Sequence, residues 1–145
     1  TQNRDKGKED GILKSQKILL TWLIEDEAIF RQIERYITPE DFSEGLYRKV
    51  AELVYEQYRE HTVNPAQIMN HFEDEEEHKK VAELFVAPFR TDLSLAEQEK
   101  AVNDAVIRIK KASLDYKIAN AADINQLQAF IKEQGRLQNI HITLN

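Results

Sequence analysis

The chain has 145 residues and a formal net charge of −6, from 20 basic and 26 acidic side chains. It contains no cysteine, which excludes disulfides, thiolate metal sites and a cysteine nucleophile. Four glycines and three prolines are too few to supply the turns of a β-sandwich or β-barrel, so the composition predicts an all-α protein.

The chain begins with a polar segment that is followed by two apolar ones. Residues 1–10 are nearly all polar or charged, which predicts a disordered linker end because such a segment buries too little apolar surface to offset its ordering entropy. Over residues 12–24, apolar side chains recur at helical spacing on a wide face, so we expect a helix that is buried on most sides. Residues 28–36 predict a second, shorter helix.

Capping residues divide the next part of the chain. Thr38-Pro39 and Asn64-Pro65 each place a capping side chain before a proline, whose missing N–H would have no partner at the first helical position. Ser43 is predicted to cap a longer helix that runs to Glu60. The spacing of these signals predicts a bundle of helices joined by short loops.

The longest predicted helix begins at Ser94-Leu95-Ala96-Glu97, which has the form of a capping box. No glycine or proline interrupts the chain from there to about Asn120. The apolar stripe changes phase near Ala112, which indicates that the helix leaves one core and enters a different contact. We therefore expect a bundle of five to six helices over residues 11–112 and a C-terminal helical hairpin over residues 113–145, joined by this long helix.

The hairpin is neutral and rich in apolar side chains. It holds three basic and three acidic residues, so the whole of the −6 lies in the rest of the chain. Two helices alone cannot enclose a core, and we predict that this apolar surface docks on a partner protein; the alternative is that the hairpin folds back on the bundle. The predicted partner-binding residues are Leu114, Ile118, Ile124, Leu127, Phe130 and Ile131, with a polar rim of Lys117, Lys132, Gln134 and Arg136.

No arrangement of catalytic residues is recognisable in the sequence. Four scattered glycines cannot form a phosphate-binding loop, and neither a His-Glu-x-x-His nor a Gly-x-Ser-x-Gly motif occurs. His61, His71 and His78 lie in polar surroundings near predicted helix ends, so we interpret them as solvated or capping rather than as metal ligands. The acidic run Glu73–Glu77 lacks the spacing of a cation-binding loop and predicts the first turn of a helix that Pro88 ends. We expect a non-catalytic protein without a cofactor or a metal.

Charge and hydropathy also disfavour two kinds of partner. Because the chain is acidic, the phosphates of a nucleic acid would meet net repulsion, so no direct contact with nucleic acid is expected. No apolar run approaches the roughly 20 residues that a membrane-spanning helix needs, so no membrane partner is expected either.

Four short motifs follow one another before residue 57: Ser15-Gln16-Lys17-Ile18-Leu19-Leu20 through Asp26, Ile37-Thr38-Pro39-Glu40-Asp41-Phe42, Leu46-Tyr47-Arg48-Lys49-Val50 and Leu53-Val54-Tyr55-Glu56. Taken in order, they resemble a helical bundle that two bacterial replication proteins share: the C-terminal helicase-binding domain of bacterial primase and the N-terminal domain of the replicative helicase. The resemblance covers roughly residues 12–139. A long helix followed by a terminal hairpin, with no phosphate loop after it, favours the primase domain. Where that family often has a glycine in the hairpin turn, this chain has Asn120-Ala121-Ala122.

The resemblance implies a function in DNA replication by protein contact alone. It implies that the hairpin docks onto the N-terminal domain of the replicative helicase, and that the bundle stimulates the helicase. Primase would thereby be recruited to the replication fork in the bacterial cytoplasm, while primer synthesis would belong to other domains of the parent primase. The chain alone is expected to be monomeric. The alternatives left open are an N-terminal-type domain of a helicase, a helical nucleic-acid-binding module, and a homodimer that pairs through the hairpin.

Overall fold

A computed structural model of the chain describes residues 2–60, 63–86 and 92–144, with residues 2–10 as backbone only. The described residues form seven α-helices and no strand, which confirms the prediction of an all-α bundle. The helices are α1 (Gln2–Glu25), α2 (Glu27–Ile33), α3 (Leu46–Glu60), α4 (Pro65–Asn70), α5 (Glu75–Leu84), α6 (Leu95–Ala119) and α7 (Ile124–Gln134), and two short 3₁₀ helices span Pro39–Asp41 and Leu137–Asn139.

Helix α1 is the centre of the bundle, because α2, α3, α5 and α6 all pack against it. Its buried part, from Ser15 to Leu23, includes the fully buried Leu19, Leu20 and Leu23, as expected for a helix covered on most sides. The helix runs antiparallel to α6. Ser15 accepts a hydrogen bond from Arg108 at 3.3 Å, and further along α1 the helix reaches the first residues of α6.

The first residues of α1 are helical where the sequence predicts a disordered linker end. Residues 1–10 are predicted to be disordered, but the helix already begins at Gln2. These residues include Gln, Arg, Lys and Glu, which are good helix formers, and adding residues to a helix whose nucleus is already packed is far easier than starting one. Thr1 lies outside the described residues.

Side-chain caps fix where several helices begin, at positions that the sequence predicts. Asn64 accepts a hydrogen bond from the backbone N–H of Gln67 at the start of α4. Ser94 accepts from the N–H of Glu97 at 3.1 Å, and the Glu97 carboxylate accepts from the N–H of Ser94 at 3.2 Å. The capping box therefore starts α6, which extends 25 residues without interruption.

The start of α3 differs from the prediction. Ser43 does not cap the helix, which begins only at Leu46. Gly45 precedes it with a φ of 121°, a value that favours glycine because it has no Cβ. This turn leaves the hydroxyl of Ser43 to accept a hydrogen bond from the side chain of Gln16 at 2.8 Å, which ties the loop to α1.

The acidic run forms the first turn of α5. Asp74 is the N-cap and accepts from the N–H of Glu77 at 3.0 Å, and the three glutamates that follow lie where the helix dipole favours negative charge. This agrees with the interpretation from the sequence. The helix ends at Leu84, and Pro88, which is predicted to end it, lies outside the described residues.

Two buried tyrosines of α3 donate hydrogen bonds to backbone carbonyls that precede α3 in the chain. The hydroxyl of Tyr58 donates to the carbonyl of Leu23 in the last turn of α1 at 2.5 Å, and that of Tyr55 donates to the carbonyl of Ile37 at 2.6 Å. The ring of Phe30 stacks on Tyr58 with 4.3 Å between the ring centres. Burial, together with nearby carboxylates, raises the pKa of Tyr58 to about 12 and raises the pKa of Tyr55 as well.

Residues 140–144 return to the bundle after α7. They run along α6 towards its beginning, and Ile142 and Leu144 join the main hydrophobic core. The sequence division assigns these residues to the hairpin, whereas their contacts are with α2 and α6. The side-chain amides of Gln32 and Asn103 hold them there, and nothing near those two residues in the sequence points to this pairing.

Candidate functional site

A turn without glycine joins α6 to α7. Asn120 ends α6 and its side-chain amide donates to the carbonyl of Tyr116 at 2.8 Å. Asp123 begins α7 by accepting from the N–H of Gln126 at 2.8 Å. Among the described residues no residue other than glycine has a positive φ, so Asn120-Ala121-Ala122 form this turn with ordinary backbone angles. A glycine is therefore not required for the hairpin.

The contact between α6 and α7 combines polar pairs with half-buried apolar side chains. Gln134 donates to Asp115 at 2.6 Å, and Glu133 lies 3.1 Å from the ammonium group of Lys110. Leu127 and Phe130 face this contact and are half-buried. No residue of α7 is fully buried, so the helix rests on α6 without entering a core.

A buried carboxylate attaches the second half of α6 to the bundle. The side chain of Asp41, in the first 3₁₀ helix, is 1% exposed. It accepts from the N–H of Thr38 at 2.9 Å and from the hydroxyl of Ser113 at 2.6 Å, and the ammonium groups of Lys110 and Lys117 lie 3.4 and 3.8 Å away. Lys117, predicted for the polar rim, is thus engaged by Asp41. It also lies 6.0 Å from the ring centre of a residue of α7, Phe130.

Leu114 lies on a different face of α6 from Val106 and Ile109, which belong to the main core. This side chain is completely buried but lies outside the main core, on the part of α6 that packs against α7. Tyr116, about 200° further around the helix, is 71% exposed. Leu114 therefore belongs to the hairpin's own contact and is inaccessible to a partner in this conformation.

Two isoleucines of α7 form an exposed ridge. Ile124 and Ile131 are 69% and 51% exposed, and because they are seven residues apart they lie on the same face of the helix. We call this pair the α7 ridge. Lys132 and Arg136 of the predicted rim are also exposed, whereas Gln134 is half-buried in its hydrogen bond with Asp115 and Ile118 is half-buried. The predicted set thus divides into an outward ridge and an inward contact, a division that depends on how α7 is rotated.

The described residues hold no cluster of three or more His, Asp or Glu side chains that could bind a metal ion. His71 ends α4 beside the ring of Phe72, His78 lies within α5, and His61 is outside the described residues. A groove of about 680 Å³ between α1 and α6 is lined by side chains of both charge signs, among them Asp104 and Arg108. Within the same parts of the chain, no helix combines the length and apolar character needed to cross a membrane.

The α7 ridge is the exposed aliphatic surface of α7. The tail that follows it is already occupied by the bundle, and Leu114 by the contact between α6 and α7. Comparisons with known proteins add no relative, since no family model, no curated protein and no solved structure matches this chain.

Proposed function

We propose that this chain is a helicase-binding domain of the bacterial primase type, which contacts the N-terminal domain of a replicative helicase through its hairpin. The observation that carries the proposal is the α7 ridge, an apolar surface on a helix of which no residue is buried. The order and spacing of the motifs over residues 15–56 support it as a resemblance. The chain itself contributes contact, not catalysis, to primer synthesis at the replication fork in the cytoplasm.

The environment of the ridge favours a protein partner. Single exposed apolar side chains are common on protein surfaces, but Ile124 and Ile131 share one face of a neutral hairpin attached to an acidic bundle. A helix that carries its apolar face outward is suited to pack in a groove or against helices of another protein. Lys132 and Arg136, exposed on the same helix and just after it, supply a polar rim.

The interior contacts of the hairpin serve this surface by fixing the helix that carries it. Leu114, Leu127 and Phe130 fill the contact between α6 and α7, and Asp41 holds the second half of α6 on the bundle. We therefore assign partner contact to the ridge and its rim, and support of the ridge to these inner residues.

The test is binding to a purified hexameric replicative helicase, measured by co-elution and by calorimetry. Ile124→Asp and Ile131→Asp should each weaken binding by about tenfold or more, because truncating a central apolar contact costs about 1–3 kcal/mol and each 1.4 kcal/mol is a factor of ten. Val86→Asp is the matched control, since Val86 is 71% exposed but lies after α5. Helicase binding that neither ridge substitution weakens would refute the proposal.

A further inference from the structure

Residues 140–144 lie between α2 and α6 as an extended ligand lies in a peptide-binding groove. The side chain of Asn103 donates to the carbonyl of Ile142 at 2.9 Å and accepts from its N–H at 2.7 Å. The side chain of Gln32 forms the same two bonds with Thr143, at 2.8 and 2.9 Å. Two carboxamides thus pair with the main chain of consecutive residues, as the neighbouring strand of a sheet would.

The side chains of this segment alternate between the groove and solvent. Ile142 is completely buried and Leu144 nearly so, while His141 and Thr143 between and before them are exposed. An extended chain points successive side chains to opposite sides, so the groove receives aliphatic groups two residues apart. The hydrogen bonds from Gln32 and Asn103 reach only the main chain, so they select no particular side chain at Ile142 or Thr143.

Glu99 adds a charge requirement at one end. One of its carboxylate oxygens accepts from the N–H of Leu144 at 3.3 Å, and the other lies 3.6 Å from Nε2 of His141. A basic side chain directly before the first completely buried residue, Ile142, is therefore favoured, and an acidic one would be repelled.

We propose that the groove between α2 and α6 is a binding site for an extended peptide with the pattern basic, aliphatic, any residue, aliphatic. Residues 141–144 fill it as an intramolecular ligand, and a segment of a partner protein with the same pattern replaces them. The proposal is independent of helicase binding, because none of the groove residues belongs to the α7 ridge.

A separate peptide must compete with residues 141–144, which are covalently attached to the chain that carries the groove. A segment joined to its site by a short linker has an effective concentration of about 1 mM, so a free peptide of equal intrinsic affinity displaces half of it at about that concentration. The residues before the segment offer little resistance to its release, because neither α7 nor the 3₁₀ helix Leu137–Asn139 has a buried residue.

The first experiment follows displacement in the full chain. Thr143 is exposed and held by its main chain alone, and the chain has no other cysteine, so Thr143→Cys accepts one environment-sensitive fluorophore. A peptide with the sequence of residues 139–144 should change its emission with a midpoint of about 1 mM. The same peptide with serine in place of Ile142 and Leu144 should have no effect, and one with His141→Glu should act severalfold more weakly.

The second experiment frees the groove from its own segment. In the Ile142→Ser chain, a fluorescently labelled peptide with the sequence of residues 139–144 should bind with an apparent affinity at least tenfold higher than in the unmodified chain. Adding Asn103→Ala should abolish that gain, and Asn125→Ala, an exposed amide on α7, should leave it intact. If Ile142→Ser prevents folding, the displacement experiment decides alone.

Three results would overturn the proposal. The peptide could fail to displace the labelled segment at several millimolar, or the serine peptide could act equally well. Sedimentation could also show that the unliganded chain forms a dimer as its concentration rises and that only the dimer responds, which would assign the groove to the segment of a second copy.

Discussion

Replacing Asp41 with alanine is expected to destabilise the whole bundle. The carboxylate is 1% exposed, and its nearest cation, the ammonium group of Lys110, belongs to a side chain that is itself only 12% exposed. Breaking a buried ion pair by removing one partner leaves the other charge without compensation, at a cost of about 3–5 kcal/mol. The substitution also removes the acceptor for the hydroxyl of Ser113 and the N–H of Thr38.

Two features of the surroundings of Asp41 place the expected loss of stability near the lower end of the range of about 3–5 kcal/mol. Lys110 keeps a second partner, because Glu133 lies 3.1 Å away, and Thr38 is exposed, so its N–H can bond to water. We expect a loss of about 3 kcal/mol in the free energy of unfolding, which lowers Tm by about 6–12 °C for a chain of this size.

Urea denaturation followed by circular dichroism measures this loss. Asp104→Ala removes an exposed acid from α6 and should change stability by no more than about 0.5 kcal/mol. Lys110→Met, alone and combined with Asp41→Ala, completes a double-mutant cycle. The combined variant should be more stable than the sum of the single losses predicts, because each single variant leaves one member of the buried Asp41–Lys110 pair without the other, whereas the double variant removes both. A loss below about 1 kcal/mol for Asp41→Ala, as for an exposed pair, would refute the reasoning.

Three further changes test other parts of the molecule. Ser94→Ala should lower the free energy of unfolding by about 1 kcal/mol, since it removes the hydroxyl that caps α6; an unchanged urea midpoint would contradict this role. Leu114→Ala should cost about 2–5 kcal/mol because the side chain is completely buried, whereas Ile131→Ala should cost about 0.5 kcal/mol or less, and equal losses would contradict the division of the hairpin into ridge and inner contact. The pKa of Tyr58 is raised by burial from 10.0 to about 12, so its contribution to stability is complete below pH 10 and is lost as the pH rises towards 12. The alkaline decline in stability should therefore be shallower in Tyr58→Phe, as measured by urea denaturation across that pH range.

The local signals in the sequence predict most of the helical framework. The capping box at Ser94 and the Asn64-Pro65 pair act within a single helical turn, so the residues that cause the structure are neighbours in the sequence. The apolar stripe of α6 likewise reports its burial, because the 3.6-residue period projects directly onto a face. The start of α3 is not predicted correctly in this way. Gly45 has a positive φ, so the helix begins at Leu46, after the better capping residue, Ser43.

The contacts that fix the hairpin and the tail have no local signal. Asp41 and Ser113 are 72 residues apart, and Gln32 and Thr143 are 111 residues apart. The alternation of apolar and polar residues over 140–144 is typical of an extended segment with one buried side, but it does not identify the groove. Helical spacing alone likewise does not show how α7 is rotated on α6, so Ile124 and Leu127 look equivalent in the sequence although one is exposed and the other half-buried.

The position of the chain's single tryptophan has a practical consequence. Trp22 is buried beneath the end of the groove and lines the same small cavity as Thr143 and Leu144. Indole emission moves to longer wavelengths when water reaches the ring. Departure of residues 141–144 from the groove would therefore shift the tryptophan emission maximum to longer wavelength. The emission spectrum of the unmodified chain therefore distinguishes molecules whose groove is filled from molecules whose groove is empty, without any added label.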